Sequence, residues 1–111
     1  MEIEFVNEGD IQKIYDISKC YFDWTYDNFV SGLKSNNIFL KAVSEGKIVG
    51  FLIADDLIDS YNLLLIAVRE EFKNQNIATK LIKKLENIAK NKKIEKIWLE
   101  VKENNFPAIN L

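Results

Sequence analysis

The first third of the chain changes its hydrophobic period once, from that of a strand to that of a helix. Apolar and polar residues alternate over residues 2–6, which predicts a half-buried strand. Apolar residues at helical spacing then predict two helices, over about residues 10–21 and residues 25–35. Asp10 and Thr25 are expected to cap them, because their side-chain oxygens can accept hydrogen bonds from the free amides of a first helical turn.

The middle of the chain is rich in β-branched and aromatic residues. Residues 38–44 and 47–55 predict two strands, joined as a hairpin by Glu45 and Gly46, since glycine supplies positive φ in such turns. Residues 61–68 are apolar at almost every position, which predicts a central strand covered on both faces.

The last third predicts an amphipathic helix, a strand and a final turn. Apolar residues recur every three or four positions over residues 77–91, and residues 94–101 form a strand pattern. A last turn or helix begins at Asn104. The predicted order is β-α-α-β-β-β-α-β-α, a mixed α/β (α+β) architecture rather than a doubly wound repeat. With 111 residues and no linker-like segment, we expect one domain over residues 1–111.

Composition excludes several kinds of chemistry. The chain has no histidine, so histidine-based triads and helical zinc sites are impossible. Its single cysteine, Cys20, cannot form an intrachain disulfide, and its apolar surroundings predict a buried structural thiol. The net charge of −2 argues against a dedicated nucleic-acid binder. No apolar run is long enough to span a membrane and the first residues are acidic, so we expect a cytoplasmic protein without a membrane partner.

Charge is unevenly distributed around a candidate anion site. Residues 1–72 hold 13 acidic and 6 basic residues, whereas residues 73–96 hold 8 lysines and 2 acidic residues. A buried strand, a polar loop and a helix beginning near Asn76 would direct backbone N–H groups and the positive end of a helix dipole to one place. Lys73 and Lys80 would add positive charge for a phosphate, although a solvated helix face explains lysines equally well.

The same segment resembles a known family. IAVREEFKNQNIATKLI is similar to the acetyl-CoA-binding motif of the GNAT N-acetyltransferases, a strand followed by a Gln/Arg-x-x-Gly-x-Gly/Ala loop and a helix. IWLEVKENNFPAINL resembles the family's next strand and helix, and GKIVGFLI its hairpin. FDWTYDNF is similar to a stretch of the ribosomal-protein alanine N-terminal acetyltransferases. The resemblance implies the GNAT acyl-CoA N-acyltransferase fold, with acetyl-CoA as cosubstrate and no metal.

The resemblance also implies roles for individual residues. The backbone of Ile66, Ala67 and Val68 would line the acetyl and pantetheine arm, with the Val68 N–H donating to the thioester carbonyl. Glu100 would be the general base that takes a proton from the acceptor ammonium. The remaining coenzyme contacts would come from Lys73, Asn74, Gln75, Asn76, Ile77, Ala78, Thr79 and Asn105.

Two departures from the family pattern affect the expected function. Asn76 replaces the first loop glycine, and we expect it at positive φ with a side chain that crowds the pyrophosphate. The family's general-acid tyrosine would follow Leu111, and its last two strands lie beyond that point, so we expect a C-terminally incomplete domain. The bare edge at residues 94–101 would then pair with a second copy of the chain or with another polypeptide, or this region would be poorly ordered.

Three functions remain open from the sequence. The acceptor is expected to be a primary amine, most readily a protein N-terminus, as the segment around Trp24 and Glu100 implies. A small-amine acetyltransferase is the alternative within the family. A catalytically silent CoA-binding or interaction domain is the alternative outside it.

Overall fold

The computed structural model describes residues 1–99 and shows one five-stranded sheet with helices on both faces. In chain order the elements are β1 (Glu2–Phe5), a 3-10 turn (Glu8–Asp10), α1 (Ile11–Ser18), α2 (Tyr26–Lys34), β2 (Asn37–Ser44), β3 (Lys47–Asp56), β4 (Ser60–Val68), a second 3-10 turn (Glu70–Phe72), α3 (Ile77–Asn91) and β5 (Lys96–Leu99). The predicted order of elements is confirmed as far as Leu99. The predicted turn at Asn104 lies outside the described residues.

The sheet is mixed, with strand order β1-β2-β3-β4-β5. Neighbours from β1 to β4 pair antiparallel, and β5 pairs parallel with β4 after the chain has crossed over through α3. This arrangement confirms the mixed α/β class and the central position of β4.

Each face of the sheet carries its own hydrophobic core. Helix α3 packs Ile77, Leu81 and Leu85 against one face, where Val68 and Ile66 of β4 are buried. Helices α1 and α2 cover the other face, and aromatic rings dominate that core. The buried phenylalanines of this core are Phe22, Phe29, Phe39 and Phe51. Burial on both faces explains why β4 is apolar at nearly every position.

The predicted hairpin turn and one of the two predicted helix caps behave as expected. Glu45 and Gly46 both have positive φ, 52° and 78°, which is the geometry of a tight two-residue hairpin. Thr25 caps α2, since its hydroxyl accepts from the Asn28 amide at 3.1 Å and the Asn28 side chain accepts from the Thr25 amide at 2.9 Å.

Asp10 does not cap α1 as predicted. Its carboxylate accepts instead from the Asn7 amide at 2.9 Å and from Lys41 Nζ at 2.7 Å. The Asn7 side chain takes over the capping of the first 3-10 turn, since it accepts from the Gly9 amide. The buried Lys41 amine of β2 requires an anionic partner, and this tertiary demand outweighs the local preference of Asp10.

Helix α1 ends earlier than predicted, and this corrects the expectation for Cys20. The last helical residue is Ser18, whose carbonyl accepts from the amides of Tyr21 and Phe22 at 2.8 Å each. Cys20 therefore lies in a turn beyond the apolar stripe of the helix, and it is exposed rather than buried.

Within the described part of the chain, β5 pairs only with β4. Trp98 and Leu99 are 54% and 61% exposed, so both faces of this short strand carry apolar surface. Pairing of residues 94–101 with a second copy stays a prediction. No helix among residues 1–99 is long and apolar enough to cross a membrane.

Candidate active site

The loop between β4 and α3 contains two residues in the left-handed region. Asn74 has φ of 70° and Asn76 has φ of 61° with ψ of 23°. Asparagine tolerates this region better than other residues that carry a Cβ. The expectation that Asn76 adopts the conformation of the family's loop glycine is confirmed.

The N-terminus of α3 is open to a ligand. Asn76 occupies the cap position, but its side chain makes no capping hydrogen bond. The first intrahelical bond runs from the Lys80 amide to the Asn76 carbonyl at 3.1 Å, so the amides of residues 77–79 precede it. Uncapped amides at the positive end of a 15-residue helix are suited to a phosphate group.

The ladder between β3 and β4 fixes the direction of the backbone amides at the end of β4. Arg69 N–H donates to the Val49 carbonyl at 2.8 Å, which points the Arg69 amide toward β3. Because amides alternate along an antiparallel ladder, the N–H and C=O of Val68 point to the opposite side, as do those of Ile66. The Ala67 amide points toward β3.

A bulge interrupts the pairing of β4 with β3. The register with β3 shifts between Ile53 and Ala54, which pair with Leu65 and Leu63 and leave Leu64 as an extra residue. The described ladder with β5 also ends at Leu63, opposite Leu99. The bulge thus lies where the described ladder with β5 ends, and bulges are common near reactive sites.

Glycine at position 50 lets β3 approach the end of β4 closely. A Cβ there would lie 2.9 Å from the Ala67 carbonyl oxygen and 3.4 Å from Val68 Cα. The position of Val68 therefore depends on the missing side chain of Gly50.

Tyr21 connects the end of α1 to the loop and to β4. Its hydroxyl donates to the Val68 carbonyl at 3.2 Å and lies 3.5 Å from Glu70 Oε2. Lys73 Nζ lies 4.7 Å from the centre of the Tyr21 ring and 3.2 Å from Glu70 Oε2. Burial alone would lower the pKa of Lys73, but hydrogen bonds and Coulomb attraction from Tyr21 and Glu70 outweigh it, and the pKa is raised from its ordinary value.

Two adjoining cavities lie on the α1 side of this cluster. The first, of about 480 Å³, is lined by Tyr21, Glu70 and Arg69 among others. The second, of about 610 Å³, extends to the hairpin turn between β2 and β3 at Gly46. Lys13, Ile48 and Arg69 line both cavities, so the two form one trough that begins beside the end of β4.

The structure brings most of the sequence-predicted residues to one region. The C-terminal end of β4 holds Ile66 to Val68, and the loop and first turn that lead into α3 hold Lys73 to Thr79. The Ile77 side chain is buried in the core under α3, so only its backbone can contact a ligand. Glu100 and Asn105 lie outside the described residues. Sequence reasoning missed Tyr21 and Glu70, because no local pattern marks a contact between residues 47 positions apart.

Comparisons with known proteins agree with this geometry. The family model described as "Acetyltransferase (GNAT) family" matches residues 7–111. The ribosomal protein bS18-alanine N-acetyltransferase of Haemophilus ducreyi is 28% identical over 111 residues, covering 98% of this chain and 77% of that protein.

Solved structures show the same fold. The ribosomal-protein-S18-alanine N-acetyltransferase of Escherichia coli superposes with a TM-score of 0.88 at 24% identity, over 98% of this chain and 72% of that chain. The PaiA N-acetyltransferase of Thermoplasma acidophilum, solved in complex with coenzyme A, has a TM-score of 0.80 at 16% identity, over 94% of this chain and 80% of that chain. The expected GNAT fold is thereby confirmed, and with the family match the chain belongs to the GNAT acetyltransferases, enzymes that use acetyl-CoA to acetylate amines.

Proposed function

We propose that the chain acetylates the N-terminal amine of a protein, with the acceptor entering through the trough on the α1 side of β4. The trough is the main support for this proposal, because its second cavity continues from the first toward the β2–β3 hairpin turn at Gly46. A small amine would need only the first cavity, whereas an extended peptide would fill both. The names of the Haemophilus and Escherichia relatives support the same acceptor class.

Acetyl-CoA would lie on the other side of the β4 end, with its pyrophosphate at the start of α3. Uncapped amides, the left-handed backbone at Asn74 and Asn76, and the nearby amines of Lys73 and Lys80 support this placement. The residues that we assign to this contact are Lys73, Asn74, Gln75, Asn76, Ile77, Ala78 and Thr79. By the family resemblance, Asn105 adds a further coenzyme contact.

The thioester carbonyl would accept a hydrogen bond from the Val68 amide. This amide points away from β3, on the opposite edge of β4, and Ile66 presents its backbone in the same direction. Negative charge develops on the carbonyl oxygen when an amine attacks, so a fixed donor there would favour the transition state over the bound substrate.

Deprotonation of the acceptor is assigned to Glu100. An ammonium is not a nucleophile, so a base must remove one proton before the amine attacks the thioester. The assignment follows the match of LEV at residues 99–101 to the strand that carries the family's base. Transfer would be direct, from thioester to amine, within a complex of enzyme, acetyl-CoA and acceptor.

The acceptor class is tested with three substrates: a peptide beginning with alanine and containing an internal lysine, the same peptide with a blocked N-terminus, and alaninamide. We expect mass spectrometry to find one acetyl group on the N-terminal alanine of the first peptide and none on the second. A kcat/KM for alaninamide equal to that for the first peptide would instead assign the enzyme to small amines. Calorimetry without heat at millimolar acetyl-CoA would refute the proposed coenzyme site.

The role of Glu100 is tested by Glu100→Gln, with Glu95→Gln as the matched control because Glu95 is an exposed glutamate shortly before β5. We expect Glu100→Gln to lower the rate of acetyl transfer by about 10²–10⁴-fold, as removal of a general base does, with little change in acetyl-CoA affinity. A rate equal to that of the control variant would leave Glu100 with no part in proton transfer.

A further inference from the structure

We propose that Tyr21 is a positioning residue that holds the reacting end of β4 in place. The inference rests on the proposed function, because it takes the Val68 amide as the donor to the thioester carbonyl. Tyr21 belongs to the turn after α1, where its own amide donates to the Ser18 carbonyl at 2.8 Å. From that anchored position its hydroxyl donates to the Val68 carbonyl at 3.2 Å.

The peptide group between Val68 and Arg69 is thereby held from both sides. Its N–H donates to the Val49 carbonyl of β3 at 2.8 Å, and its C=O accepts from Tyr21. A peptide group is planar, so fixing both ends fixes the whole plane and the Val68 Cα within it, and this Cα carries the N–H that we propose as the donor. The described part of β5 ends opposite Leu63, so within residues 1–99 it is Tyr21 that takes the place of a strand beside Val68.

The ring of Tyr21 makes a second contact that can be separated from the first. Lys73 Nζ lies 4.7 Å from the ring centre and 3.2 Å from Glu70 Oε2, and Lys73 begins the proposed pyrophosphate loop. The hydroxyl acts on the acetyl end of the coenzyme site through Val68, and it also reaches Glu70 and Lys73 at the phosphate end. Phenylalanine at this position keeps the ring beside Lys73 but removes all contacts of the hydroxyl, so acetyl-CoA binding should suffer more than CoA binding.

The experiment compares the binding of acetyl-CoA with that of CoA, which lacks the thioester carbonyl that would accept from the Val68 amide. Affinities are measured by calorimetry for the wild-type chain, Tyr21→Phe and the control Tyr15→Phe, in which the ring of Tyr15 on α1 packs against Tyr26 of α2. We expect Tyr21→Phe to weaken acetyl-CoA binding by about three- to tenfold, the range for one hydrogen bond, and to weaken CoA binding clearly less. Tyr15→Phe should change neither affinity.

Each result bears on a different statement. Equal weakening of both ligands by Tyr21→Phe would reduce Tyr21 to a general structural role and overturn the inference, as would unchanged affinity for acetyl-CoA. A wild-type chain that binds neither ligand would refute the proposed function, and the inference with it. Thermal unfolding of each variant confirms that the comparison is made on folded protein.

Discussion

The left-handed backbone at Asn76 makes the coenzyme loop sensitive to a small change of side chain. Asn76 has φ of 61° and ψ of 23°, and its side chain makes no capping hydrogen bond. Asn76→Ala therefore removes no such bond. Its main effect is to place alanine in a left-handed conformation, which costs an ordinary L-residue about 1–2 kcal/mol of conformational free energy. Asparagine already bears part of this cost, so we expect a loss of about 1 kcal/mol in the free energy of unfolding. For a domain of this size, that corresponds to a decrease of about 4–8 °C in Tm.

Asn76→Gly should behave in the opposite way. Glycine adopts this conformation without a steric cost but gains freedom in the unfolded chain, so we expect its stability to stay within about 0.5 kcal/mol of wild type. Removal of the exposed side chain at the start of α3 should tighten acetyl-CoA binding, which calorimetry measures. Weaker binding by Asn76→Gly would mean that the Asn76 amide contacts the coenzyme.

Gln75→Ala is the matched control for the stability of this loop. Gln75 lies between Asn74 and Asn76 and is exposed, but it is not among the residues with positive φ. Its replacement by alanine should leave Tm almost unchanged, because exposed substitutions without a special backbone conformation usually stay within about 0.5 kcal/mol. Equal Tm values for Asn76→Ala and Gln75→Ala would refute the left-handed geometry at residue 76.

Two further changes test the packing that supports the site. Gly50→Ala should lower the free energy of unfolding by about 1–3 kcal/mol and weaken acetyl-CoA binding. The new Cβ would lie 2.9 Å from the Ala67 carbonyl oxygen and displace the end of β4. Wild-type stability of this variant in a denaturant titration would contradict the reasoning. Lys41→Met should lower the free energy of unfolding by about 3–5 kcal/mol, because it leaves the Asp10 carboxylate without the amine that lies 2.7 Å away. In the same titration, the double variant Lys41→Met with Asp10→Asn should recover part of that loss.

Local patterns in the sequence were sufficient for the parts of the fold that local physics determines. The hairpin turn at Glu45 and Gly46, the positive φ at Gly46 and Asn76 and the capping by Thr25 each depend on a few neighbouring residues, and the structure confirms them. The amphipathic pattern of α3 likewise matches its bounds, Ile77–Asn91.

The features that sequence reasoning missed depend on residues far apart in the chain. Asp10 was predicted to cap a helix, but Lys41 of another strand engages its carboxylate. Cys20 was predicted to be buried, but α1 stops at Ser18 and turns its neighbour Tyr21 toward Val68. A single sequence carries no periodicity that reports such pairings, since each is decided by how α1 lies on the sheet.

The crossover from β4 through α3 to β5 has a consequence for the order in which the protein folds and opens. Strands β2, β3 and β4 follow one another as a meander, whereas β5 pairs with β4 only after the chain has passed through α3. Contacts distant in sequence form late in folding, and local segments can open at a lower free energy than the whole domain. The proposed coenzyme loop belongs to this crossover, so bound acetyl-CoA would fasten the last segment to close. At a concentration of 100 times its Kd, a ligand adds about 2.7 kcal/mol to stability. Amide exchange in α3 and β5 would then slow as acetyl-CoA rises, while exchange in the meander would follow global unfolding.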